Sequence, residues 1–326
     1  MSCNKNNYGR LAMAILAGLT LLLCTASSLP QEVGGRISVR QPGRAPEKPV
    51  TIPVTIRVRQ SNPQKEVQLV DLIVREDGDE QPSISIRSLA TTPLSFAVLV
   101  QDDLVSSVSN EIKTIAEFIR HLPPGSRVLI GYIRGGSLNV RQRFTTDLNR
   151  AAKSLRMPYG LASAATLDPY VQIREGLKRF ESQPLGRRAM LVITDGMDLS
   201  RGAEATSIID SLDLHRAINE AQRKSVAIYS IYAPSVVTSS SGNTILIGSA
   251  QSALQRLSND SGGHAFFQGT QAPVSFDQFL RDIDASLGRQ IALTYLSTHP
   301  EKGFHRIEVK ALVPDVEVRH PSGYTR

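Results

Sequence analysis

The chain predicts a doubly wound α/β layer with a mostly parallel sheet, held between β-rich N- and C-terminal flanks. Three observations carry that reading. Two near-continuous apolar runs, "LSFAVLVQ" (94–101) and "RAMLVITDGMD" (188–198), have the composition of strands buried on both faces. Around them, strand-like runs alternate with helical periods, the pattern of a parallel sheet with crossover helices. At both ends the pattern changes to short apolar/polar alternation, which reads as antiparallel strands.

The first flank, 36–90, holds "TIPVTIRVRQ" and "VQLVDLIVRE", broken by turn material at "QSNPQK" and "EDGDEQP". The α/β layer, 91–288, opens on "LSFAVLVQ". In "EIKTIAEFIRHL", Ile112, Ile115, Ile119 and Leu122 recur at helical spacing, with Ser109 or Asn110 placed as cap and "PPG" as the stop. "SRVLIGYIR" and "LNVRQRF" are strands, and the glycines of "GYIRGGS" join them as a hairpin. "LNRAAKSL" is a short helix, and Asp168 before Pro169 starts another, "YVQIREGLKRF". After "RAMLVITDGMD" come a helix, "LHRAINEAQRK", and a strand, "SVAIYSIYA". The serine-rich "PSVVTSSSGNTILIGS", Pro234 to Ser249, reads as a polar, mobile loop. "QSALQRLS" and "SFDQFLRDIDASL" are helical, with "GHAFFQ" a short strand between them. The closing flank, 289–326, returns to strands in "IALTYLST", "HRIEVKALV" and "VEVRHP". The two flanks are candidates to pair as one small sandwich.

At 326 residues, 41% apolar and 21% charged, the composition is that of globular rather than disordered or fibrous protein. Residues 1–28 read as a signal peptide: Lys5 and Arg10 form the positive region, "LAMAILAGLTLLLC" the apolar region and "TASS" the small residues before cleavage. Export to the periplasm, the envelope or the medium is the expectation. An uncleaved anchor and a lipidated Cys24 are the competing readings, and membrane contact is expected only through such a tether. Cys3 and Cys24 both lie in this segment, so the remainder holds no thiol for a disulfide, a zinc-thiolate site or a nucleophile. The net charge of +7 loses two units with Lys5 and Arg10, and the basic residues that remain are scattered. No nucleic-acid partner is expected, because that function wants a clustered basic stripe with aromatic residues between.

Ligands of a doubly wound sheet bind outside the carboxyl ends of its strands. Asp102 and Asp195 each follow such a strand directly, and "DDLVSS" adds the hydroxyls of Ser106 and Ser107, four and five positions after Asp102. Two carboxylates and a set of hydroxyls on neighbouring strand ends would surround a hard cation, Mg2+ or Mn2+, with oxygen.

These residues resemble the von Willebrand factor type A domain, a Rossmann-like fold with a metal-ion-dependent adhesion site. The resemblance rests on "VLVQDDLVSS", on "LVITDGMD" and on the order of elements between Leu94 and Leu287. The stretches "VREDGDEQPSIS", "LQRLSNDSGGHAFF" and "RQIALTYLSTHPEKGFHRIEVK" are similar to a bacterial exported subgroup of that family, the VWFA-related proteins. The family's first motif is Asp-x-Ser-x-Ser, which places Asp102 on the acid and Ser106 on the second serine. Leu104 stands where the first serine belongs, so the implied site is degenerate and is expected to hold metal more weakly. The resemblance further implies Thr166 as a ligand on the second loop and Asp195 as the acid on the third. It also implies a protein partner whose own acidic residue completes the coordination. Asp168 reads more simply as a helix cap, and Asp103 and Asp198 as second acceptors or solvated carboxylates.

Against this expectation of a cation-dependent binding module stands a metal-free scaffold of the cell envelope, which Leu104 favours. A receiver domain would need a lysine after "SVAIYSIYA", and nucleotide binding a glycine-rich first turn, and neither is present. A serine hydrolase would need a Gly-x-Ser-x-Gly elbow, and a zinc protease closely paired histidines. The six histidines lie far apart, and His264 beside "AFF" reads as a packed residue. No enzyme is expected.

Overall fold

The computed structural model describes residues 48–58, 72–87, 93–200 and 211–326. The segment 1–28, with Cys24, lies outside the described residues, as do "QSNPQ" and "VQLVD".

The central layer is a six-stranded sheet in the order β10-β9-β8-β5-β6-β7. Its strands are β5 (Ser95–Gln101), β6 (Arg127–Arg134), β7 (Ser137–Thr145), β8 (Arg188–Thr194), β9 (Ala227–Tyr232) and β10 (His264–Phe266). Neighbours run parallel except β6 and β7. That pair is the expected hairpin: Arg134 faces Ser137 across Gly135 and Gly136, whose positive φ values of 51° and 77° suit a tight two-residue turn.

Every residue of β5, β8 and β9 is buried, because helices cover both faces. On one face lie α1 (Ile112–Arg120), α2 (Leu148–Lys153) and α7 (Asp277–Gly288), packed through residues such as Ile115, Ile119, Ile283 and Leu287. On the other lie α3 (Pro169–Lys178), α4 (Leu212–Lys224) and α6 (Thr244–Asp260), through Ile173, Leu177, Leu214 and Leu254. The order reverses at β5, which leads to β6 on one side while β8 continues to β9 on the other. The carboxyl ends of β5 and β8 are therefore side by side at the point where helices leave in opposite directions.

Two four-stranded antiparallel sheets stand beside this layer. One has the order β13-β1-β11-β4 and the other β14-β12-β2-β3. β1 (Lys48–Val58), β2 (Leu72–Glu76), β3 (Asp79–Gln81) and β4 (Ser83–Arg87) come from the first flank. β11 (Gln290–Ser297), β12 (Phe304–Ala311), β13 (Val316–Arg319) and β14 (Gly323–Thr325) come from the second. Each sheet mixes strands of both flanks, and Ile52, Val54, Val74, Leu293, Tyr295 and Ile307 share one core between them.

Two local readings are corrected. Pro234 to Ser249 is not a loop: α5 (Val236–Ser241) and the first residues of α6 occupy it. Ser235 accepts from Thr238 N and Asn243 from Leu246 N, so two side-chain caps start helices where composition alone reads as coil. Gly242, at φ 61°, makes the break between them. Neither Ser109 nor Asn110 caps α1, because a 3-10 turn over Ser106–Glu111 precedes it and its first residue follows Glu111 directly.

Candidate functional site

Asp102 follows the last residue of β5 and is fully buried. A carboxylate with no access to water needs a cation or several donors. Arg156 supplies both: its two terminal nitrogens donate to Oδ1 at 2.6 Å and Oδ2 at 2.8 Å. The Tyr159 backbone N–H adds a third bond to Oδ1 at 3.2 Å, and the Arg134 guanidinium comes within 3.9 Å of Oδ2. Such a two-pronged, charge-assisted pair is among the strongest polar contacts a protein makes.

The arginine is itself held in place. The Tyr132 hydroxyl donates to Arg156 O at 2.6 Å and accepts from Arg156 N at 2.7 Å. The guanidinium carbon lies 4.1 Å from the ring centres of both Tyr132 and Tyr159, a cation sandwiched between two aromatic faces. The bond to Asp102 raises the Arg156 pKa above its ordinary value, against the effect of burial.

Asp195 follows β8 and is also buried. Its Oδ2 accepts from the Thr238 hydroxyl at 2.6 Å and its Oδ1 from Met197 N at 3.1 Å. Burial pushes this carboxyl up, opposed by the hydroxyls of Thr238 and Ser235. Asp103 is turned to the same interior and is pushed up to about 6, first by burial and then by the charge of Asp195. Gln101 links the two strand ends: its Nε2 donates to Asp103 Oδ1 at 3.0 Å, while its Oε1 accepts from the Thr194 hydroxyl and from Asp195 N at 3.2 Å. Gly196 of "TDG" has φ 67°, and a Cβ there would come within 2.7 Å of Leu254 on α6. The glycine therefore lets α6 close over the strand end.

Leu104 is fully buried in the core and bridges Ser235 as an isolated antiparallel pair. Val236 N donates to Asp103 O and Val105 N to Pro234 O, so the segment before α5 is stitched to the loop after β5. Apolar packing explains why this position carries leucine and not serine.

The remaining candidates sit apart from that network. Ser106 is exposed at the start of the 3-10 turn. Thr166 is buried, and its hydroxyl has no hydrogen-bond partner among the described residues, so it bonds neither Asp102 nor Asp195. Asp168 caps α3 by accepting from Tyr170 N at 2.8 Å, and its Oδ2 has no hydrogen-bond partner among the described residues. Burial, then the charge of Asp198, pushes the Asp168 carboxyl up to about 6. Asp198 in turn accepts from the hydroxyls of Ser200 and Ser211, each at 2.6 Å. His264 packs edge-on against Phe266, 4.8 Å between ring centres.

The donor set does not fit a Mg2+ or Mn2+ ion. Both Asp102 oxygens face a guanidinium, Leu104 offers no oxygen, and Asp195 is turned to Thr238 and the backbone. The residues that decide this, Arg156, Tyr132 and Thr238, are missed by the sequence reading. Arg156 lies 54 positions from Asp102, in "LRMPYG", with no local pattern to mark it.

The outer surface of this edge is apolar. Met157, Tyr159, Leu161 and Leu167 are between half and two-thirds exposed, all on the connection between α2 and α3. Beside them a groove of about 540 Å³ runs between Val105, Ser106, Met157, Tyr159, Val236 and Ser239. Arg134, nearly half exposed, stacks on Tyr159 at 4.7 Å.

No family model and no curated protein matches the chain. Among solved structures it is similar to an aerotolerance-related membrane protein from Bacteroides fragilis, at 14% identity over 60% of this chain and 98% of that one, with a TM-score of 0.41. It is similar to the conserved hypothetical protein BatB from Bacteroides thetaiotaomicron, at 12% identity over 59% and 97%, TM-score 0.41. It is also similar to a von Willebrand factor type A protein from Catenulispora acidiphila, at 10% identity over 86% and 75%, TM-score 0.40. The strand order and register of this chain define its α/β layer by themselves.

Proposed function

We propose that the chain is an exported protein-binding module that works at the carboxyl edge of its parallel sheet without a divalent cation. The observation that carries this reading is the Arg156 guanidinium seated on both oxygens of Asp102. The edge thus has its positive charge built in. The contact surface would be the α2–α3 connection, where Met157, Tyr159, Leu161 and Leu167 expose apolar area beside Arg134. Aromatic and arginine side chains at the centre of an apolar patch are the usual anchors of a protein interface. Arg134 favours a partner that carries an acidic residue, and the positive net charge favours the encounter with it. Export rests on the residues of 1–28, and no enzymatic role is proposed.

Affinity capture from extracts of the source cell, run with and without EDTA, tests this. The expected result is a partner retained in EDTA by the native protein and lost by Tyr159→Asp and Leu161→Asp variants. A partner released by EDTA would instead support the cation-dependent adhesion that the resemblance implies. A partner retained by both variants would remove the α2–α3 surface from the account.

A further inference from the structure

Glu76 and His305 face inward in the sandwich, at places where the period-2 pattern of β2 and β12 otherwise puts Leu72, Val74, Ile307 and Val309. An ionisable pair on a core face is costly unless something there compensates it. Asp77 joins them from the two-residue turn between β2 and β3, with φ 52° at Asp77 and 99° at Gly78. The turn is fixed by Asp77 N donating to Arg306 O and Arg306 N donating to Asp77 Oδ1. The turn and β12 therefore bring residues 228 positions apart onto one spot.

Acceptors converge there. His305 Nε2 lies 3.0 Å from the Glu301 carbonyl, which can only accept, so Nε2 carries the ring proton. Nδ1 faces Asp77 Oδ2, 2.8 Å away, and Glu76 Oε1, 3.5 Å away. Glu76 is fully buried; its Oε1 accepts from the hydroxyls of Ser297 and Tyr324, each at 3.0 Å, and its Oε2 makes no hydrogen bond of normal geometry among the described residues, although the Tyr295 hydroxyl also interacts with this carboxylate. His299 repeats the arrangement: Nε2 faces Asp79 Oδ2 at 3.3 Å, while Nδ1 has no hydrogen-bond partner among the described residues and stands 4.0 Å from Glu76 Oε1. A proton on His305 Nδ1 would pair with Asp77 Oδ2 and, at longer range, with Glu76 Oε1, and would still leave His299 Nδ1 unanswered among the described residues.

We propose that Glu76, Asp77 and His305 form a divalent transition-metal site, with His299 as its fourth ligand and Zn2+ as the ion that fits. Two imidazoles and two carboxylates make a nitrogen–oxygen set of the kind zinc accepts in four-coordinate geometry. The ligand atoms of Glu76, Asp77 and His305 lie within 4.8 Å of one another, close enough for small side-chain rotations to close the set. Each imidazole has the outer acceptor that metal-binding histidines use to fix their tautomer, the Glu301 carbonyl for His305 and the Asp79 carboxylate for His299. The site lies in the sandwich, so it stands or falls independently of the edge of the parallel sheet.

The test is a Zn2+ titration of the chelator-treated full chain, by calorimetry and by competition with a metallochromic chelator. One saturable equivalent is expected in the native protein, unchanged by replacing the exposed His121→Gln, and lost in His305→Gln and Glu76→Gln. Those two residues are buried, so circular dichroism must show that the variants fold. Asp79, three-quarters exposed, gives an independent arm that leaves the core untouched. Asp79→Asn is expected to weaken binding on the order of 10-fold, by releasing the His299 ring. A folded native protein with no saturable binding overturns the proposal, as does binding that survives both His305→Gln and Asp79→Asn.

Discussion

The carboxyl edge of the parallel sheet and the β2–β3 corner of the sandwich each gather buried carboxylates, and they resolve them in opposite ways. At the edge every oxygen of Asp102 and Asp195 meets a donor, and the largest of these is the Arg156 guanidinium. At the corner Glu76 Oε2 and His299 Nδ1 make no hydrogen bond of normal geometry among the described residues, and His305 Nδ1 looks onto two acceptors. A row of acids in a sequence therefore says where negative charge collects, and the rest of the fold decides which cation answers it.

The sharpest way to break this contrast is to remove the guanidinium. Arg156→Ala removes the two-pronged partner of a fully buried charge, leaving it only the Tyr159 N–H and the more distant Arg134, and is expected to cost about 3–5 kcal/mol of folding stability, read by urea denaturation. The double change Arg156→Ala with Asp102→Asn should recover part of that loss, because the stranded charge goes with its partner. Simple additivity of the two single changes would mean that the pair is not coupled.

Leu104→Ser, which restores the family's missing hydroxyl, comes next. It removes a fully buried core side chain and is expected to cost roughly 2–5 kcal/mol without producing magnesium binding while Arg156 is in place. A gain of magnesium affinity in that variant would show that the leucine, not the arginine, blocks the ion.

A smaller effect of opposite sign is expected at Asp168. Burial and Asp198 hold its carboxyl at about 6 in the folded protein, so the folded state binds this proton more tightly than the unfolded chain does. Stability from this group is present at low pH and is lost as pH rises from about 4 through about 6. Asn keeps the cap and removes the charge, so Asp168→Asn should stabilise the protein by about 1–3 kcal/mol at pH 7.5. The gain should shrink as the pH is lowered towards 4.

The smallest change in stability belongs to Tyr159→Ala, about 0.5–1 kcal/mol from the lost stacking on Arg156 and Arg134. Its effect is expected in partner retention rather than in the melting curve.

Most of the parallel sheet is legible in the sequence because β5 and β8 are buried on both faces, and only unbroken apolar runs survive there. The β6–β7 turn and the Asp168–Pro169 helix start are equally plain, since each is dictated by neighbours in the chain. Helix α5 is not: six residues of "VVTSSS" have little helical preference, and the Ser235 cap and the bridge of that serine to Leu104 hold them in place. The strand-end positions of Asp102 and Asp195 are legible, but their partners are not. Arg156 reaches Asp102 across 54 positions and Thr238 reaches Asp195 across 43. In the sandwich, "EDG" shows a turn, and nothing near it announces a histidine on the other side of the chain.

The measurement closest to the central claim is a calorimetric titration of the purified full chain with Mg2+ and with Mn2+, beside an Asp102→Ala variant. The account predicts no saturable heat that depends on Asp102, because the guanidinium of Arg156 already answers that carboxylate. A saturable heat in the native protein that vanishes in Asp102→Ala would contradict it, and would show that a divalent ion displaces the arginine.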